Sequence, residues 1–199
     1  MSVRSVAQAG LSGVGKRPGL TAAYGRSSFP GNFELISRVE VGAGGAASIE
    51  FTGIPSTFTH LQVRMLLRSD VAAVHSTSKI EMNGDTGANY KGHELRGDGS
   101  TASATSTSGI RVHVTPAASA AANIFGACII DIPDYANTSK NTTVRVLGSH
   151  DRNGAGQVNL YSGLWINTSA VTSLKFIDEG AGNFVQYSRA SLYGVIRNG

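Results

Sequence analysis

From residue 32 onward, apolar side chains fall on every second position over short stretches. That is the period of a half-buried β-strand, not of a helix. Leu61, Val63, Met65 and Leu67 alternate with Gln62, Arg64 and Leu66, so the first four share one face of a strand. The pattern returns at Val39 and Val41, at Ile49 and Phe51, at Ile110, Val112 and Val114, and at Val144 and Val146. It occurs again at Val158 and Leu160, at Leu174 and Phe176, and from Leu192 to Ile196. The intervals hold turn-forming residues: Gly42-Ala43-Gly44-Gly45, Gly53-Ile54-Pro55, Asn83-Gly84-Asp85, Asp151-Arg152-Asn153-Gly154 and Gly180-Ala181-Gly182-Asn183. About nine to eleven strands without a sustained helical period predict an all-β fold, an antiparallel, jelly-roll-like β-sandwich. Two stretches break the pattern. Ser100 to Gly109, a Ser/Thr/Ala run, reads as an exposed loop, and the Ala-rich Pro116 to Asn123 has room for one helical turn.

Residues 1–31 follow neither period. Their apolar residues are isolated, and Pro18 and Pro30 interrupt them. The chain is therefore expected to divide into an extended N-terminal arm, 1–31, and a sandwich domain, 32–199. Charge follows the same boundary. The formal net charge is +4, and the arm holds Arg4, Lys16, Arg17 and Arg26 with no acid, so the remainder is balanced. A nucleic-acid binder is expected to carry its basic face on the folded domain, so neither nucleic acid nor membrane is expected as a partner. No apolar run approaches the roughly 18 residues that span a bilayer. The beginning of the chain also lacks the apolar core of a secretion signal. An arm of this composition gains order by pairing its main chain and pocketing its side chains on a partner. The candidate docking residues are Val3, Arg4, Val6, Leu11, Lys16, Arg17, Leu20, Arg26 and Phe29.

Residues that could carry chemistry are present but poorly arranged. Asn83 to Asn89 alternates oxygen-bearing side chains as a calcium loop does, yet lacks the distal bidentate Glu, and reads as a hairpin connection before Tyr90. Arg96-Gly97-Asp98 spells an adhesive tripeptide that, beside Gly99, makes an ordinary turn. His60, His75, His93, His113 and His150 are scattered without metal-ligand spacing, and His60 and His113 are expected at an edge or facing a partner. Asp131 with Asp134, and Asp178 with Glu179, could supply the paired acids of glycoside hydrolysis, but read as acids at strand ends. Asn137, Asn141 and Asn167 match a glycan acceptor pattern and read as polar loops. Trp165 is expected in the core, and Cys128, within Phe125-Gly126-Ala127-Cys128-Ile129-Ile130, as a buried inert thiol. The sequence thus predicts no catalytic residue, no metal site and no cofactor.

Several segments together carry a resemblance. Phe51-Thr52-Gly53-Ile54-Pro55-Ser56-Thr57-Phe58-Thr59-His60-Leu61-Gln62, the Asn83-to-Tyr90 turn, Ile130 to Thr138, Ser162-Gly163-Leu164-Trp165 and the closing Ser191 to Ile196 are similar to a family of small bacteriophage virion structural proteins. The resemblance runs from residue 33 to 196. It implies a non-enzymatic tail, neck or fibre-associated appendage or a capsid decoration protein, assembled in the host cytoplasm and resident in the virion. Its partners would be portal or neck, tail or major capsid proteins. Copies of the chain would associate, and analogy with jelly-roll appendages suggests a homotrimer. The alternative is a receptor- or carbohydrate-binding module of the virion that meets a host surface glycan through Ser100–Gly109 and Asp151–Gly156.

Overall fold

The structure, a computed structural model, describes residues 32–196. The candidate docking residues from Val3 to Phe29 lie outside the described residues. Alternation drives what forms. Twelve strands follow one another: β1 (Phe33–Glu40), β2 (Ser48–Phe51), β3 (His60–Leu67), β4 (His75–Met82), β5 (Tyr90–Gly97) and β6 (Ala102–Thr107), then β7 (Ile110–Pro116), β8 (Gly126–Pro133), β9 (Thr142–Asp151), β10 (Gly156–Trp165), β11 (Leu174–Asp178) and β12 (Arg189–Val195). They form an eight-stranded sheet in the order β1-β12-β3-β8-β9-β10-β5-β6 and a four-stranded sheet in the order β2-β11-β4-β7. Every pairing is antiparallel. The protein is an all-β sandwich, and among the described residues no helix forms.

The inner faces of the sheets supply the core. Leu61, Val63, Met65 and Leu67 of β3 all point inward, as the sequence predicts, and meet Ile130 and Ile132 of β8, Leu192 of β12 and Phe176 of β11 in one buried cluster. Phe51 and Phe176 pack edge to face across β2 and β11, with ring centroids 6.4 Å apart. Each such side chain, fully buried, contributes roughly 1.5–3 kcal/mol. Trp165 and Cys128 are buried as expected. Burial pushes the Cys128 thiol up to about 12, which leaves almost no thiolate at neutral pH.

Three local expectations change. Ser100–Gly109 is not a loop: Ala102–Thr107 forms β6, because its backbone completes the free side of β5 despite the polar side chains. Pro116–Asn123 makes turns and no helix, one of them closed by a bond from the Ala120 amide to the Ala117 carbonyl at 3.0 Å. Asn83–Asn89 is not a hairpin connection, since β4 lies in the small sheet and β5 in the large one. It carries the chain from one sheet to the other. Asn83 takes a left-handed conformation (φ 53°) before Gly84 (φ 69°). Its side-chain oxygen accepts from the amides of Thr172 and Ser173 while its Nδ2 donates to the Ala170 carbonyl, so the crossover is tied to the entry of β11.

The large sheet has two parts. Strands β1, β12, β3 and β8 stand opposite a four-stranded companion of the order β2, β11, β4, β7. The hairpins β5–β6 and β9–β10 then join edge to edge through β10 and β5, and β9 attaches the pair to β8. Strand β7 of the small sheet packs under this extension, against β9, β10 and β5, and the Tyr90 hydroxyl of β5 accepts from the Met82 amide of β4.

Candidate interaction surface

The outer face of the eight-stranded sheet presents the functional side chains, because the period of two that buries one set of residues must expose the other. Its cross-strand rows can be followed through the register. Arg38 pairs with Ser191, Ser191 with Arg64, and Arg64 with Ile129. The same row continues from Ile129 to Leu147, Leu160, Leu95 and Ala104. One row therefore begins in arginines and ends in aliphatic residues.

At the β1–β12–β3 end the face is cationic and aromatic. The Arg64 guanidinium lies 5.2 Å from the Phe33 ring centre and 4.9 Å from that of Tyr193, the geometry of a cation–π contact on each side. Arg38, Arg64, Arg189, Ser191 and Tyr193 line a shallow cavity of about 390 Å³. A second, of about 400 Å³ and more apolar, is bounded by Phe33, His60, Gln62, Asp131, Pro133 and Arg145. A hydrogen-bonded rail crosses the strands between these ends. Arg64 Nε donates to Gln62 Oε1 at 2.9 Å, Gln62 Nε2 to Asp131 Oδ1 at 2.9 Å, and Arg145 Nη2 to Asp131 Oδ2 at 2.7 Å. At such exposure each link contributes at most about 1 kcal/mol, so the rail orders side chains more than it stabilises the fold.

Beyond the rail the face turns aliphatic. Ile129, Leu147, Leu160, Leu95 and Val158 are exposed to between 42% and 57%. No protein-family model, curated protein or solved structure matches this chain. The functional reading therefore rests on the residues themselves.

The structure disposes of the sequence candidates one by one. Asp85 receives Trp165 Nε1 at 2.8 Å, Asn89 Nδ2 at 3.0 Å and the Gly87 amide at 2.8 Å. Those three donors, the indole first, hold its carboxyl below the usual carboxylate range. Its oxygens serve the crossover. Asp98 of the Arg96-Gly97-Asp98 tripeptide accepts from the amides of Ser100 and Thr101 and so closes the β5–β6 turn. Asp131 belongs to the rail, whereas Asp134 turns to Lys140 and His60. Asp178 takes the Ser76 hydroxyl and the Gly180 amide. The paired-acid constellations are thus each drawn into separate local structure. Asn137 and Asn167 accept the amides two residues onward, as polar turns do.

The histidines correct the sequence reading most. His113 does lie on an edge strand, β7 of the small sheet, but its side chain faces no partner; it is fully buried between the sheets. Gly126 and Gly148 make its space: a Cβ at Gly126 would collide with His113 Nε2, and one at Gly148 would stand 3.0 Å from Nδ1. The His150 ring lies edge-on at 6.4 Å, and His75 follows at 6.4 Å from His150. Three imidazoles far apart in sequence thus form a file at one end of the sandwich. Burial, then the neighbouring His150, lowers His113 to about 3. Among the described residues no three of His, Cys, Asp and Glu form a metal-binding group.

Sequence reasoning missed Phe33, Arg38, Gln62, Arg145, Arg189 and Tyr193 because each is unremarkable within its own strand. Only the strand order β1-β12-β3-β8-β9 puts them together. Of the two expected contact segments, Asp151–Gly156 forms the β9–β10 turn, whereas Ser100–Gly109 is mostly strand β6; what stands beside the β9–β10 turn is the start of the β5–β6 turn, ahead of Ser100. Gly97, Asp98 and Gly99 from one, and Asp151, Gly154 and Gly156 from the other, flank a cavity of about 430 Å³.

Proposed function

We propose that this chain is a non-enzymatic structural or accessory protein of a bacteriophage particle, attached through residues 1–31 and presenting its sandwich to neighbouring proteins. The eight-stranded sheet with an uncovered outer face, cationic and aromatic at one end and aliphatic at the other, carries this reading. Surfaces of that make-up serve protein contacts, in which arginine and aromatic anchors dominate the binding energy. The segments between residues 33 and 196 that resemble small virion proteins point toward the particle, and the basic composition of residues 1–31 supports the mode of attachment. The strand orders β1-β12-β3-β8 and β2-β11-β4-β7 support jelly-roll wiring with two inserted hairpins, a build shared by viral capsid domains. The attachment point would be a tail, neck or fibre-associated site or the capsid surface.

Deleting residues 1–31 tests the attachment. The remaining domain is expected to fold, with a cooperative melt, and to be missing from purified particles. Normal incorporation of the shortened chain would overturn the docking role.

One observation favours a second reading, a receptor- or glycan-binding module. The β5–β6 and β9–β10 turns converge on the cavity beside Asp98 and Asp151, where a host surface sugar could lodge. Exchange of both turns abolishing adsorption to host cells, with incorporation intact, would select this reading.

A further inference from the structure

The aliphatic end of the outer face is unusual for more than its exposure. On a half-buried strand the apolar residues turn inward and the polar ones outward. Strands β5 and β10 do the reverse over their middle. Leu95, Val158 and Leu160 point out, while Glu94 and Asn159 are buried beneath them at 5% and 1% exposure. Asn159 Nδ2 donates to Glu94 Oε1 at 2.5 Å and Arg111 stands 3.8 Å from Glu94 Oε2, while Asn159 Oδ1 is buried without a partner in the protein. A pattern that seats a carboxylate inside and leucines outside is stable when the outer side is covered too.

The tract has a definite size and chemistry. The five aliphatic side chains together leave on the order of 400 Å² of apolar area in water, the size at which patches mark interaction sites. They lie on a stretch of sheet about 20 Å across, and with its rim such a stretch approaches the roughly 800 Å² per partner of a standard interface. The row Ile129, Leu147, Leu160, Leu95 contains no charge, so its complement must be apolar. The bordering edge strand β6 is six residues of Ala, Ser and Thr, lacking the charge or proline that normally blunts a free edge. Both liabilities lie at the same end of the sheet.

The order of the row identifies the occupant. Read from β8 to β5 it runs Ile, Leu, Leu, Leu, centred on the Leu147–Leu160 pair between β9 and β10. Turned by 180° about an axis along those strands, it presents nearly the same four aliphatic side chains in the same places. Ile129 would then meet Leu95 of a copy, and Leu147 would meet Leu160. That is the self-complementarity an isologous two-fold contact requires. We propose that the outer face of β8, β9, β10 and β5 is the surface through which a second copy of this chain packs, sheet against sheet, about a two-fold axis.

This rests on the virion role proposed above, and puts a two-fold contact in place of the homotrimer expected by analogy from the sequence. The test is the molar mass of the purified full chain by light scattering at about 50 µM, an order-of-magnitude choice well above the micromolar affinities of weak pairs. A dimer or a larger even-numbered assembly is expected. Leu147→Lys with Leu160→Lys should halve the mass and leave the circular-dichroism spectrum and the cooperativity of melting unchanged, because both residues are surface-exposed. Leu35→Lys, equally exposed at the far end of the same face, should leave the assembly intact. A monomeric or trimeric wild type would overturn the proposal, as would an assembly that survives the double substitution or falls apart with Leu35→Lys. Particle incorporation of the double variant separates the two readings: a monomer that still enters particles leaves the virion role standing, whatever becomes of the two-fold contact.

Discussion

His113 shows how one residue can make stability depend on pH. Neither ring nitrogen has a hydrogen-bond partner in the protein, and a charged imidazole there would be buried without compensation. The folded chain keeps His113 neutral down to about pH 3, whereas the unfolded chain protonates it near its ordinary value of about 6.5. Below that value the unfolded state holds more protons, so stability falls as pH falls across this window. The slope from His113 is about 1.4 kcal/mol per pH unit. His150 is lowered by burial, Arg152 and His75, and adds in the same direction. Urea unfolding at pH 6.5 and 5.0 should show a loss of about 2 kcal/mol from His113. His113→Leu should flatten much of that slope, and an unchanged slope would place the titration elsewhere. The sequence offered no sign of this site. The ring fits only because Gly126 on β8 and Gly148 on β9 lack side chains, and no spacing along the chain relates those positions to β7.

At the scale of elements, the Asn83 crossover is one of the passages between the two sheets, and its side chain ties it to the entry of β11. Asn83→Ala removes the acceptor for Thr172 and Ser173 and strains a left-handed backbone, at a combined cost of about 2–3 kcal/mol. Asn83→Gly removes the same bonds but relieves the backbone, so its urea midpoint should lie between those of Asn83→Ala and wild type. Equal midpoints for the two variants would mean that conformation contributes nothing. Alternation made most strands legible, β3 most clearly, because a single face of four apolar residues has one reading. It did not mark β4, β5, β6 or β8; in β4 and β6 Ser and Thr outnumber the apolar residues. In β4 the inward Ser78 hydroxyl is satisfied at 2.7 Å by Thr115 of β7, a partnership that only the pairing of strands reveals. It found β10 through Val158 and Leu160, yet the strand buries their neighbours Asn159 and Tyr161 instead. Period is a local property; the face that turns inward is decided by the opposite sheet.

For the molecule as a whole, eight of the eleven links between successive strands pass from one sheet to the other, and only β5–β6, β8–β9 and β9–β10 join neighbours, so most strand pairings are non-local. Loop-closure entropy must be met before those contacts form, and β-rich folds of this kind refold in milliseconds to seconds or more slowly. Stopped-flow refolding should give a main phase no faster than about 1000 s⁻¹. A microsecond phase carrying the full amplitude would show that local structure dominates. The two inserted hairpins also make the walls of the sandwich unequal, eight strands against four. Both faces of β6 are therefore largely in solvent, and it has almost no interior to fill. Natural variation at its positions is filtered by whatever the strand touches beyond its own subunit, with little demand from the core. That makes it the part of the sandwich free to diverge fastest when the surroundings change.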